Sequence, residues 1–245
     1  MRNIVLSALA LGALSACAPK AEVDELNAKV EALSKRVETL ESRPSSGGAA
    51  AAGPSAEAEA AATELYNKVN EALSAGNTDE AKAQLAVLLK DYGSTKTASR
   101  AVRTKAELDV VGKSVTTPEM EKWFQGSSAD LNLESGTTLV VFWEVWCPHC
   151  RREVPELQAR HEKYKGQLKV VGLTKITKSA TEEKVVEFMG EQGVTYPMAK
   201  EDGKTSAVFA VSGIPAAALV KDGEVLWRGH PGRLTDEMID GFIKG

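Results

Sequence analysis

Three cysteines in 245 residues are too few for a disulfide framework. An excess of basic charge is also missing. Thirty Lys and Arg stand against 34 Asp and Glu, a formal net charge of −4. That mild acidity excludes the broad basic surface on which nucleic-acid binding depends. The N-terminal apolar stretch, Ile4 to Ala16, runs for about 13 residues, too few to span a bilayer as a stable helix. There is no second Cys-x-x-Cys. His149 lies inside the one pair and His161 eleven residues after Cys150, a spacing that matches no zinc finger. No metal is therefore expected.

What is present is a single pair in an informative place. The apolar run Thr138 to Trp143 predicts a buried strand, and Trp146-Cys147-Pro148-His149-Cys150 follows it at the start of a predicted helix. Unpaired amides and the dipole at a helix N-terminus favour negative charge on the first sulfur. The second cysteine lies one turn on, within reach of a disulfide. Tight Cys-x-x-Cys loops are of the labile, reactive kind, which argues against a purely structural bridge. The expected chemistry is thiol–disulfide exchange, with the Cys147–Cys150 pair itself as the redox group and no further cofactor.

The chain start, Met1-Arg2-Asn3, then the apolar stretch and Leu14-Ser15-Ala16-Cys17, resembles a bacterial lipoprotein signal. The resemblance implies cleavage after residue 16 and acylation of Cys17. It also implies a site on the periplasmic side of the cell envelope, with the outer membrane favoured over the inner, where disulfides persist. Loss of Arg2 takes the formal charge from −4 to −5. Only the Cys-x-x-Cys pair then remains. Within residues 17–43, Val23, Leu26, Val30, Leu33, Val37 and Leu40 form a heptad seam, predicting a coiled-coil stalk and a homo-oligomer. Val at a with Leu at d favours two strands, whereas the envelope stalks that it resembles are often trimers. The alternative is one amphipathic helix lying on another surface.

Residues 44–60, rich in Gly, Ser, Ala and Pro, read as a flexible linker. Residues 61–112 read as helical, broken at Ala75 to Asp79 and at Tyr92 to Ser94, and resemble one tetratricopeptide-type unit. That unit is expected to act as a spacer, a docking surface or a helical cap. From residue 113 to 245 strands and helices alternate. Strands are predicted at Leu139–Trp143, Leu168–Leu173, Ile214–Val220 and Glu224–Arg228. Helices are predicted at Pro148–Tyr164, Thr181–Gln192 and Leu234–Ile243, with a hairpin turn at Lys221-Asp222-Gly223. The fold class is α/β, with a mixed sheet flanked by helices.

Phe142 to Cys150, then Val211-Ser212-Gly213-Ile214-Pro215, then Lys221-Asp222-Gly223 resemble the thioredoxin superfamily, in particular its extracytoplasmic TlpA-like branch. The resemblance implies that Cys147 attacks and Cys150 resolves, and that Pro215 is a cis-proline facing them. Trp146 would cover the rim of the pair, and the backbone at Ile214 would pair with an extended substrate. Protein thiols and disulfides, with an envelope electron partner, are the implied partners. A peroxidase of the peroxiredoxin type is not expected, because no Thr-x-x-Cys precedes the pair.

Two departures matter. Val141 stands where many thioredoxins carry a buried acid, leaving Glu144 as the nearest substitute, or else as a solvated charge at the strand end. The dipeptide Pro148-His149 is that of the periplasmic disulfide-forming oxidase, whereas TlpA-like members more often reduce. A non-catalytic envelope scaffold, using the coil and the helical unit, is the alternative function.

Overall fold

Ser55 opens the first described helix by accepting the Ala58 amide at 3.1 Å, with Glu57 and Glu59 in the first turn to suit the helix dipole. The structure, a computed structural model, describes residues 54–244. The signal segment 1–16, Cys17, the stalk 17–43 and the linker up to residue 53 lie outside the described residues. Helix α1, Ala56–Ser74, starts within the 44–60 segment, directly after Pro54, where the Ala/Glu-rich run begins, with Ser55 as its N-cap. Helices α2, Thr78–Asp91, and α3, Lys96–Leu108, follow. Val69, Ala72, Ala81, Leu85, Leu88, Ala98, Ala101 and Leu108 bury one another between the three helices. Glu59 reaches from α1 to accept the Lys96 and Thr97 amides, both at 2.9 Å, satisfying orphan donors at the start of α3. The described residues 54–244 fall within one compact unit, so the helical segment is joined to the domain behind it.

The α/β part comprises β1 (Lys122–Gln125), β2 (Thr137–Trp143), α4 (Pro148–Lys163), β3 (Lys169–Thr174), α5 (Glu182–Glu191), β4 (Met198–Lys200), α6 (Lys204–Val208), β5 (Ala216–Lys221), β6 (Glu224–Gly229) and α7 (Asp236–Lys244). The six strands lie in the order β1-β4-β3-β2-β5-β6. Pairings β2–β3 and β3–β4 are parallel; β1–β4, β2–β5 and β5–β6 are antiparallel. This is the thioredoxin-like mixed sheet that the sequence predicts.

Every residue of β2 is buried, as a central strand covered on both faces requires. Leu139, Val141 and Trp143 pack with Cys150, Val154 and Leu157 of α4. Val140 and Phe142 point to the opposite face, against Phe209, Ala216 and Ala218. The short strands β1 and β4 and helix α6 were not expected. Three or four residues carry too little periodicity to register, and these elements exist through long-range pairing such as Trp123 with Ala199. The strand expected from Ile214 begins instead at Ala216, after the Ile214–Pro215 bond, which is cis.

Arg228 of β6 is almost fully buried. Its guanidinium donates to the carbonyls of Phe209 at 2.8 Å, Gly229 at 3.1 Å and Ala210 at 3.5 Å, with Glu107 of α3 at 3.9 Å. One side chain thus ties the edge strand, the helical segment and the loop leading to Pro215. Arg228→Met should lower stability by about 2–4 kcal/mol, because it leaves buried carbonyls without donors. Urea unfolding measures this; a loss within about 0.5 kcal/mol, the range of ordinary surface changes, would refute the role.

Candidate active site

Strand β2 delivers the chain upward and stops at Trp143. Cys147 then takes the N-cap position of α4 in an extended conformation, and Pro148 occupies the first helical position, where its missing N–H costs nothing. The Cys147 amide donates to the Glu144 carbonyl at 3.0 Å, closing the turn between strand and helix. Cys150, one turn along, is fully buried against Val154 and the β2 side chains.

Both thiols are free. Cys147 is 4% exposed, and its thiol donates to the Ile214 carbonyl at 3.8 Å. Burial raises the Cys150 thiol far above its ordinary range. The Cys147 side chain and the Glu144 carboxylate add to that rise, while the Glu144 backbone opposes it. Cys150 therefore stays protonated at neutral pH.

The antiparallel register of β2 with β5, which sets Phe142 opposite Ala216, brings Ile214 and Pro215 to the end of β2 and so to Cys147. The sequence-predicted residues Cys147, Cys150, Trp146, Ile214 and Pro215 are thus brought together. Glu144 belongs with them and is not a solvated strand-end charge. It is 5% exposed, and its carboxylate accepts the Trp146 indole N–H at 2.6 Å and the Thr177 hydroxyl. The charge is buried because the loop after β3 folds over it and supplies donors. The Lys178 ammonium stacks 3.1 Å from the Trp146 ring centroid on the outer side. His149 turns outward instead. It is exposed, and its Nδ1 lies 2.6 Å from Nη2 of Arg152. Thr177 and Lys178 in a loop and Arg228 on β6 were missed, since no local pattern marks a residue whose partners lie far along the chain.

A reduced Cys-x-x-Cys at the N-terminus of a helix, on this sheet, defines a thioredoxin-like thiol–disulfide oxidoreductase, an enzyme. The AhpC/TSA family matches residues 104–227, just over half of the chain, and the chain belongs to that family. It is 25% identical over 122 residues to the thiol-disulfide oxidoreductase ResA of Halalkalibacterium halodurans, covering 49% of this chain and 68% of the relative. The sporulation thiol-disulfide oxidoreductase A of Bacillus subtilis is 21% identical over 120 residues, covering 48% and 73%. Among solved structures, a thiol-disulfide isomerase from Corynebacterium glutamicum matches at 21% identity, with a TM-score of 0.43, over 56% of this chain and 95% of that one.

Proposed function

We propose that this enzyme is a lipid-anchored reductant of protein disulfides on the periplasmic side of a bacterial envelope. Cys147 is the attacking thiol and Cys150 the resolving thiol. The observation that carries the reading is the setting of Cys147: the N-cap of α4, with its sulfur against the Ile214 carbonyl. An extended substrate can pair with the backbone at Ile214 and present its disulfide there. Attack forms a mixed disulfide and releases one substrate thiol. Cys150 then displaces the second thiol, leaving Cys147–Cys150 oxidised, and an envelope electron partner restores it.

The choice of reductant over oxidant rests on charge. An oxidant of this type stabilises its reduced form by stabilising a thiolate. Here burial, then the Cys147 side chain and, least, the Glu144 carboxylate oppose a thiolate on Cys150, while His149 lies at the surface against Arg152. The lipobox ending in Cys17 and the heptad seam of residues 17–43 support anchoring and an oligomeric stalk. Equilibration of the pair in glutathione buffers tests the direction. A potential near thioredoxin's, about −270 mV, is expected; one near about −120 mV would make the enzyme an oxidant.

A further inference from the structure

Arg103, on the exposed face of α3, reaches the loop that precedes Pro215. Its Nη1 lies 3.4 Å from the position that a Cβ on Gly213 would take. Gly213 adjoins Ile214, whose carbonyl accepts the Cys147 thiol. Among the described residues Arg103 has no carboxylate partner.

Cations dominate the segments nearest the pair; the carboxylates around them include Glu59 on the α3 amides, Glu107 at 3.9 Å from Arg228, and Glu187 and Glu191 in the cavity beside Trp146. The segments that frame the reacting sulfur are residues 145–152 with the pair, 175–181 over Trp146, 209–215 before Pro215, and 92–106 of α3 and its approach. None of them contains an Asp or Glu, in a chain that has 34. Arg103, Arg152 and Lys178 stand exposed around this rim. The nearby Glu144 is buried beneath Trp146, and Glu153 faces His230 at 4.0 Å. A basic rim attracts an anionic partner. Arg103 also lies just before the part of the chain that matches the family, residues 104–227. The match begins within α3, so Arg103 stands at its edge, on the helical segment.

We propose that α3 forms one wall of the substrate groove, and that Arg103 selects extended polypeptide substrates carrying Asp or Glu beside the reacting cysteine. The inference rests on the disulfide-exchange reading above. A strand laid along Gly213 and Ile214 would carry its flanking side chains past the guanidinium. A carboxylate there gains a charged hydrogen bond at the edge of a site that already excludes water from Cys147.

The test uses the soluble chain lacking the signal segment and two disulfide-bridged peptides that differ only in acidic or lysine flanks. Neutral 2-hydroxyethyl disulfide gives the intrinsic reactivity by which each rate is divided. At low ionic strength the wild type should favour the acidic peptide by at least about fivefold in kcat/KM, through KM. Arg103→Glu should bring the normalised ratio to about one, and Arg103→Lys should keep most of it. Lys169→Glu makes the same charge change at the start of β3, the far end of the sheet from Cys147, and should leave the preference intact. A wild-type ratio near one, or an equal loss in Lys169→Glu, would overturn the proposal. Failure to turn over even the neutral disulfide would overturn the exchange reading along with it.

Discussion

Cys147→Ala is expected to reduce disulfide exchange by at least about 10³-fold, because the sulfur that forms the mixed disulfide is gone and Cys150 has no exposed route to substrate. Cys150→Ala should behave differently. It can still form the mixed disulfide through Cys147 but lacks the intramolecular thiol that displaces the substrate, so covalent complexes should accumulate. Turnover of a model disulfide, with mass spectrometry of the quenched mixture, separates the two. Trapped substrate on Cys150 in the Cys147→Ala variant would reverse the assigned roles. Comparable turnover in wild type and Cys147→Ala would remove this pair from the reaction altogether.

The stability of the reduced protein should fall as pH rises above 9.0, the ordinary value for the Cys150 thiol. Burial raises the folded-state value above that of the unfolded chain. Below pH 9.0 both states hold the proton, and the contribution to stability is fully present. Above it, the unfolded chain releases the proton while the folded protein retains it, so unfolding gains about 1.4 kcal/mol per pH unit until the folded-state value is reached. Cys150→Ala removes this slope, and so does oxidation of the pair. Tyr196, buried and also raised, contributes at still higher pH to all three forms, so the difference between them isolates Cys150. Parallel urea-unfolding curves for reduced wild type and Cys150→Ala between pH 8 and about 10.5 would decide it. Equal slopes would mean that the Cys150 thiol titrates as freely in the fold as in the unfolded chain.

These two outcomes concern residues that the sequence already marked, and the reason is locality. Strand, turn and helix start occupy consecutive residues from Thr137 to Cys150, so composition and periodicity in one window specify the setting of the pair. Buried strands of six or seven residues, such as β2, β3 and β5, carry enough apolar side chains to be read in the same way. The helical breaks near Gly76 and Gly93 were legible because local backbone demands governed them: Gly76 has φ of +78°, which glycine adopts without strain. Short elements were not legible, since β1 exists by pairing with β4, as Trp123 with Ala199, and β4 by pairing with β1 and β3.

By itself, then, the sequence determined the α/β class, the positions of the long elements, and the placing of Cys147 and Cys150 at a helix start, all of which depend on neighbours within one or two turns. Tertiary structure alone decided the rest of the site. The antiparallel pairing of β2 with β5 put Ile214 against Cys147. Closure of the loop at Thr177 and Lys178 turned Glu144 from a strand-end charge into a buried, hydrogen-bonded carboxylate. Packing of α3 set Arg103 beside Gly213. Such contacts join residues tens of positions apart, and their energies come from desolvation and mutual burial, which exist only once the chain has closed on itself.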